Sequence, residues 1–193
     1  MTILAANLNG LWITLGVIAF IILVIVLWAI GVSNTIKRMR IKVEESESGI
    51  DVALTQRFDM LNKMFQVAKG YMKHEKETLE KVVQMRQPSK TSSIEEKQHF
   101  SDEIEKGLQA INVVVEQYPD LKASETMSNL QNATVRVEEN LQAARRIYNS
   151  NVAQYNRYIV VFPNSIIANR ANAKRLEYFE AEDIKRQDVK FDF

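Results

Sequence analysis

The chain has 193 residues, and its 25 Lys and Arg residues against 24 Asp and Glu residues give a formal net charge of +1. Every charged residue follows position 36, and the near balance of sign excludes a nucleic-acid-binding protein that works through net charge. The chain has no cysteine, which excludes disulfides, thiolate catalysis and cysteine-ligated metals. Six glycines and three prolines favour long helices over turn-rich β-structure.

Residues 11–32 form an uncharged apolar run after a short uncharged tail, residues 1–10. As a helix this run is about 33 Å long, enough to cross a hydrocarbon core of about 30 Å. Trp12 and Trp28 lie near its ends, where indole rings favour the headgroup region. A cleaved signal peptide would need basic residues before a shorter apolar run, whereas the first ionisable side chain here is Lys37. The sequence therefore predicts a single transmembrane helix.

Four basic residues follow the predicted span directly: Lys37, Arg38, Arg40 and Lys42. Basic side chains are retained on the cytoplasmic side, so we expect the N-terminus outside and the remainder of the chain in the cytoplasm. The four residues either set topology alone or also contact anionic headgroups. Together with the two tryptophans they form the predicted membrane interface.

The apolar pattern continues at helical spacing into a first long helix, predicted to end near Gln87 because Pro88 disfavours helix in the residue before it. Residues 33–49 are the predicted juxtamembrane neck, and its section 44–49 is expected to be solvated because Glu47 interrupts the apolar row. The breadth of the stripe favours a core-facing helix over a narrow coiled-coil seam. The stripe consists of Ile36, Val43, Ile50, Leu54, Leu61 and Ala68, widened by Phe58, Phe65, Met72 and Leu79.

Two further long helices are predicted. Ser93 and Glu96 form a capping box that starts the second, which ends at Tyr118-Pro119. Ser124 is the predicted N-cap of the third, which Pro163 stops. The second helix has the apolar row Phe100, Ile104, Leu108, Ile111 and Val115. The third has Met127, Thr134, Leu141, Tyr148, Tyr155 and Phe162 at steps of seven.

A short fourth helix is predicted around Ile166 and Ile167, with helix resuming at 176–179, before a charged tail over 183–193. Long amphipathic helices joined by short connections pack antiparallel. The predicted fold class is all-α: an N-terminal single transmembrane helix followed by an elongated up-and-down antiparallel helical bundle over 50–182, with three long helices plus the short fourth.

The sequence offers little catalytic chemistry. His99 follows Glu96 at the spacing of di-iron bundle ligands, but the second copy of that pattern is missing, so a surface histidine is the simpler interpretation. Neither a nucleophile elbow nor a Gly-rich phosphate loop is present. We expect no catalytic residue, metal site, cofactor or small-molecule substrate.

The most distinctive motif is Tyr148-Asn149 followed seven residues later by Tyr155-Asn156. One interpretation places the rings in the bundle core with their hydroxyls hydrogen-bonded at its edge. The other is a docking surface for a protein partner, because tyrosine and arginine dominate interface hot spots. This candidate partner surface comprises Arg145, Arg146, Tyr148, Asn149, Tyr155 and Asn156. A further hypothesis has Arg57 and Asp59 in polar contact with its arginine pair.

These motifs resemble the LemA family of bacterial membrane proteins across essentially the whole chain. The resemblance rests on Arg57-Phe-Asp59, residues 69–79 and Arg86, residues 116–123, Leu130-Gln131, Glu138, Ala144-Arg145-Arg146-Ile-Tyr148-Asn149, Val152, Tyr155-Asn156, Phe162-Pro163, Tyr178-Phe179 and Phe193. It implies a single N-terminal span, a helical-bundle domain and no known catalytic activity, with a member in magnetotactic bacteria tied to magnetosome membranes.

This chain departs from the family pattern at two places. It has Asn62-Lys63 where the family usually carries Pro-Asn, and Arg170-Ala171-Asn172 where the family usually carries Gly-Phe. The family's kink and its C-terminal packing therefore do not transfer directly to this chain.

The expected function is that of a non-enzymatic scaffold or protein-interaction module in a bacterial membrane, with the magnetosome membrane as one candidate. Its expected partners are the lipid bilayer and either another protein or a second copy. Two alternatives stay open: an accessory regulator of a membrane-bound enzyme such as a protease, and an uncharacterised enzyme.

Overall fold

The computed structural model describes residues 2–71, 85, 87–89 and 91–180, with side chains from residue 12 onward. Its helices are α1 (Thr2–Lys69), α2 (Ile94–Gln117), α3 (Pro119–Lys122), α4 (Glu125–Val160) and α5 (Asn164–Arg170). Within those described ranges the other residues form turns and extended or irregular chain without a strand, which confirms the all-α class. Two compact units are present: unit 1 comprises Met1–Lys42 and Ala153–Leu176, and unit 2 comprises Val43–Val152 and Glu177–Phe193.

Unit 1 contains the predicted transmembrane segment. The most apolar window of α1 is long enough to cross a membrane, and none of it is buried. Trp12 is 70% exposed and Trp28 is 37% exposed. A soluble protein would hide such a helix in its core, so the exposed apolar surface fits a lipid environment and a membrane anchor.

Unit 2 has a core built from one stripe each of α1, α2 and α4. Capping starts α2 as predicted: the Ser93 hydroxyl accepts a hydrogen bond from the Glu96 N–H, and the Glu96 carboxylate accepts one from the Ser93 N–H. The predicted rows are buried at Val43, Ile50, Leu54, Leu61, Phe65 and Ala68 in α1, at Phe100, Ile104, Leu108, Ile111 and Val115 in α2, and at Met127, Leu141 and Tyr148 in α4.

The contacts of α1 with α2 show that these two helices run parallel. Glu47 meets Lys97, and further along both helices Arg57 Nη1 donates to the Ser101 carbonyl at 3.2 Å. Gly107 allows a close approach still further along, because a Cβ at this position would lie 2.9 Å from Leu61 Cδ2. The predicted pairing had these helices as antiparallel neighbours.

The reason for the parallel arrangement is that α1 ends earlier than predicted. It closes at Lys69 with a turn at Gly70 and Tyr71, and Gln87 hydrogen-bonds Thr55, so the chain lies beside Thr55 of α1 shortly before α2 begins. By contrast, α4 is antiparallel to α1. Its contacts with α1 join Thr134 to Met64 Sδ at 3.5 Å and Glu138 to Arg57 at 2.9 Å.

Some predictions fall outside the described residues. These are the stripe positions Met72 and Leu79, the family motif residues 72–79, Arg86 and Phe193, and the charged tail over 183–193. Beyond the predicted helix end near Gln87, the described residues 88, 89, 91 and 92 are non-helical.

A buried lysine joins α2 to α1 within unit 2. Lys97 is fully buried, and its ammonium group lies 2.7 Å from Glu47 Oε1 and 2.8 Å from Asp51 Oδ1. Burial alone would lower the pKa of Lys97, but the hydrogen bonds and negative charges of the two carboxylates outweigh that effect and raise it. Glu47, which the sequence pattern placed in a solvated section, therefore has a second role: it neutralises the buried charge of Lys97.

We predict that Lys97→Met destabilises the protein. Removing the cation leaves two carboxylates that are only 27% and 23% exposed without their partner, which costs about 3 kcal/mol. For a chain of this size that loss lowers the melting temperature by roughly 6–12 °C. Thermal melts of the full chain in detergent, followed by circular dichroism, measure this difference.

The control is Lys106→Met, which removes the same charge from an exposed position of α2. Equal melting temperatures for the two variants would show that the buried pair contributes nothing. Because the Lys97 pKa is raised, its contribution is complete below its ordinary value of 10.5 and is lost as the pH rises through the raised value. The difference between wild type and Lys97→Met should therefore shrink only in strong alkali.

Candidate functional site

The second half of α4 carries the motif that the sequence analysis singled out. The helix starts at Ser124, whose hydroxyl accepts a hydrogen bond from the Met127 N–H at 3.5 Å, as predicted for its N-cap. Both tyrosines face inward, with Tyr148 2% exposed in unit 2 and Tyr155 1% exposed in unit 1. This burial agrees with the interpretation that the rings fill the core.

In unit 2, the Asn149 side chain binds the backbone of Phe179. Its Oδ1 accepts from the Phe179 N–H at 2.8 Å, and its Nδ2 donates to the Phe179 carbonyl at 2.8 Å. One amide thus satisfies both polar groups of one residue, as the backbone of a neighbouring strand would do. We call this two-bond arrangement an amide bracket.

Two further side chains of α4 hold the same stretch of unit 2. The Tyr148 hydroxyl donates to the Glu177 carbonyl at 2.9 Å, and the Arg145 guanidinium carbon lies 4.7 Å from the centroid of the Phe179 ring. Phe179 is only 3% exposed, so this cation–π contact is partly shielded from water. Burial raises the pKa of the Tyr148 hydroxyl, and the negative charges of Glu47 and Glu177 raise it further.

In unit 1, Asn156 forms a second amide bracket. Its Oδ1 accepts from the Leu176 N–H at 2.8 Å, and its Nδ2 donates to the Leu176 carbonyl at 2.9 Å. The prediction that helix resumes at 176–179 is therefore wrong, since residues 173–180 are non-helical. A helix there would use these backbone groups internally, whereas the asparagines bind them in an extended conformation.

The structure corrects one part of the hypothesis that Arg57 and Asp59 lie in polar contact with the arginines at 145 and 146. Arg145 Nη2 donates to Ser101 Oγ at 2.5 Å, and Arg57 Nη1 donates to the same oxygen at 3.3 Å, so the two arginines share the fully buried Ser101. Arg57 is balanced by the carboxylates of Glu105 and Glu138. Asp59, the proposed partner of the arginines, is exposed instead.

The remaining predicted site residues stay at the surface. Arg146 is exposed on α4, and in unit 1 Lys37, Arg38, Arg40 and Lys42 are exposed after the span. His99 is exposed, 3.9 Å from Glu103, and the described residues contain no group of three or more potential metal-ligating side chains. The α4 motif binds extended backbone, and this backbone belongs to the same chain.

The sequence does not identify the partners of the α4 motif, which are Ser101, Leu176, Glu177 and Phe179. An available signal was the spacing of the motif itself. Seven helical residues advance about 10.5 Å and three extended residues advance about 10 Å, so asparagines at 149 and 156 suit bracketed residues at 176 and 179.

We predict that Asn149→Asp loosens the extended segment in unit 2. Aspartate loses the donor and places an acceptor against the Phe179 carbonyl, which costs about 1–3 kcal/mol. Amide hydrogen exchange with mass spectrometry should show faster exchange in peptides covering 177–180. Asn132→Asp, at an exposed position earlier in α4, is the matched control. Unchanged exchange at 177–180 in Asn149→Asp would contradict the bracket.

The sequence model of the LemA family matches residues 46–193. Among similar curated proteins, Protein LemA of Metamycoplasma hominis is 30% identical over 166 residues, which cover 83% of this chain and 74% of that protein. This similarity and the family match both include the whole motif of α4.

Two magnetosome proteins match a smaller part of the chain. Magnetosome protein MamQ of Magnetospirillum gryphiswaldense is 32% identical over 66 residues, which cover 34% of this chain and 24% of that protein. Magnetosome protein MamQ 2 of Paramagnetospirillum magneticum is 33% identical over 67 residues, covering 35% and 25%. The matched part is thus about a quarter of each magnetosome protein. Because the family model covers well over half of the sequence and the LemA relative matches most of it, the chain belongs to the LemA family.

Proposed function

We propose that this LemA-family protein is a non-enzymatic scaffold that presents unit 2 as a protein-interaction module at a bacterial membrane. The observation that supports the proposal is that the chain combines an exposed apolar span with a domain whose buried cations form ion pairs inside that domain. Lys97 and Arg57 are both engaged by carboxylates within unit 2. The span supplies location, and the outer helix faces supply binding surface.

The proposed binding surface is narrower than the sequence motif. Tyr148 is buried and Asn149 holds Phe179, so neither is available to a partner without displacing the chain's own segment. Arg146 and its neighbour Ile147 remain exposed, Ile147 by 57%. An exposed arginine beside an exposed aliphatic side chain is the kind of pair that anchors protein interfaces.

The proposed topology places unit 2 in the cytoplasm. It rests on the four basic residues after the span, against no charged residue before it. We predict that protease added to intact cells leaves unit 2 undigested and digests it only after the cells are opened. Digestion in intact cells would refute this orientation.

The scaffold proposal is tested in a deletion strain by imaging its membranes and by native electrophoresis of detergent extracts. A chain whose residues 12–28 are replaced by an unrelated apolar helical segment of the same length should restore both membrane organisation and native complexes, because this exposed part of the span supplies location only. The double variant Arg146→Glu and Ile147→Ser should fail in both respects while retaining its melting temperature, because both side chains are exposed.

The matched control is Val113→Ser, which changes a side chain of similar exposure, 58%, on α2. If the double variant behaves like this control, the proposed surface is wrong. A single catalytic partner in a fixed ratio would favour the alternative, an accessory regulator of a membrane enzyme. The partial similarity to the MamQ proteins supports including magnetosome membranes among those imaged.

A further inference from the structure

Charge is divided very unevenly between the two units. Unit 1 contains eight Lys and Arg residues and no Asp or Glu, so its formal side-chain charge is +8. Unit 2 contains the other 17 basic residues and all 24 acidic ones, which gives −7. The overall value of +1 conceals this division. Half of the basic residues in unit 1 follow the span, and the other half lie in its later segment: Arg157, Arg170, Lys174 and Arg175.

The later segment of unit 1 also exposes a cluster of large apolar side chains. α4 ends at Val160, the chain turns at 161–163, and α5 begins at Asn164. The exposed fractions of the cluster are 45% for Val160, 49% for Val161, 77% for Phe162 and 56% for Ile166. The sequence pattern had placed Phe162 in the core row of the third helix, and the structure shows that prediction to be wrong. We call these four residues the apolar corner.

The apolar corner belongs to the same compact unit as the exit of the span. Val32, the last residue of the predicted span, is 4% exposed, and Ile36, one turn later, is 6% exposed. The later segment contributes its own buried residues to unit 1, with Tyr155 at 1%, Ile159 at 4% and Ala168 at 1%. Because unit 1 consists of only these two segments, the later segment packs at the level where α1 leaves the hydrocarbon.

We propose that the later segment of unit 1 is a second, non-spanning membrane contact. The apolar corner inserts into the headgroup and acyl boundary beside the span, while Arg157, Arg170, Lys174 and Arg175 bind anionic phospholipid headgroups of the same leaflet. Two observations favour lipid as the partner of the apolar corner. All charged side chains of unit 1 are positive, and the span belongs to the same unit. Exposed apolar side chains flanked by basic residues are typical of proteins that lie in the membrane interface.

The chain contains no cysteine, so one introduced cysteine carries one nitroxide label in the full-length protein. The label at Val161→Cys reports on the apolar corner, and the label at Val135→Cys, 60% exposed in unit 2, is the matched control. The protein is reconstituted into phosphatidylcholine vesicles with and without phosphatidylglycerol. Collisions of each label with oxygen, which partitions into lipid, are compared with collisions with a water-soluble nickel chelate.

We expect the label at 161 to favour oxygen over the chelate severalfold more than the label at 135, and to do so more strongly when phosphatidylglycerol is present. Replacing Phe162 and Ile166 by serine should move the label at 161 toward water. Replacing Arg170, Lys174 and Arg175 by glutamine should reduce the dependence on phosphatidylglycerol, because it removes three of the eight positive charges of unit 1. All five replaced side chains are exposed, so we expect the variants to fold, and thermal melts check this.

Equal chelate accessibility at 161 and 135 in both kinds of vesicle would overturn the proposal. Spin–spin broadening at 161 that unlabelled protein relieves would also overturn it, because a second copy would then cover the apolar corner. Insertion that does not depend on phosphatidylglycerol would overturn the assignment of the basic residues to anionic lipid. These outcomes measure depth in lipid, so none of them bears on the proposed scaffold function.

Discussion

The buried ammonium group of Lys97 is the constraint on which the packing of unit 2 depends. A lysine with no exposed surface is tolerable only where carboxylates approach it closely, and Glu47 and Asp51 both do so from α1. A shift of either helix by one residue would bury the cation without its partners. The ion pair therefore constrains the register of α2 against α1, together with the close approach of Gly107 to Leu61.

Hydrogen bonds from asparagine side chains hold the extended segment after α5. Among the residues that the structure describes, no strand lies beside this backbone. Asn149 in unit 2 and Asn156 in unit 1 each satisfy both polar groups of one residue. A primary amide suits this role because it carries an acceptor and a donor on one rigid plane. Tyrosines beside the asparagines supply the apolar packing, which explains why the two residue types recur together along α4.

Periodicity predicted the helices well because it reports directly on burial. The capping box at Ser93, the N-cap at Ser124 and the stops at Tyr118 and Phe162 all follow from local chemistry, and the structure confirms them to within two residues. The early end of α1 was missed because its apolar pattern continues past Gly70 without a break. Non-helical chain at 176–179 and the shared Ser101 were missed because both depend on partners distant in sequence.

The composition of unit 1 has a consequence for the order of folding during synthesis. Its first segment ends at Lys42 and its second begins at Ala153, so more than a hundred residues are translated between them. The span therefore enters the bilayer long before its packing partner leaves the ribosome, and Val32 and Ile36 remain uncovered in the meantime. Closing so long a loop is entropically costly in a free chain, but tethering to the membrane surface confines the search to a thin layer and reduces that cost.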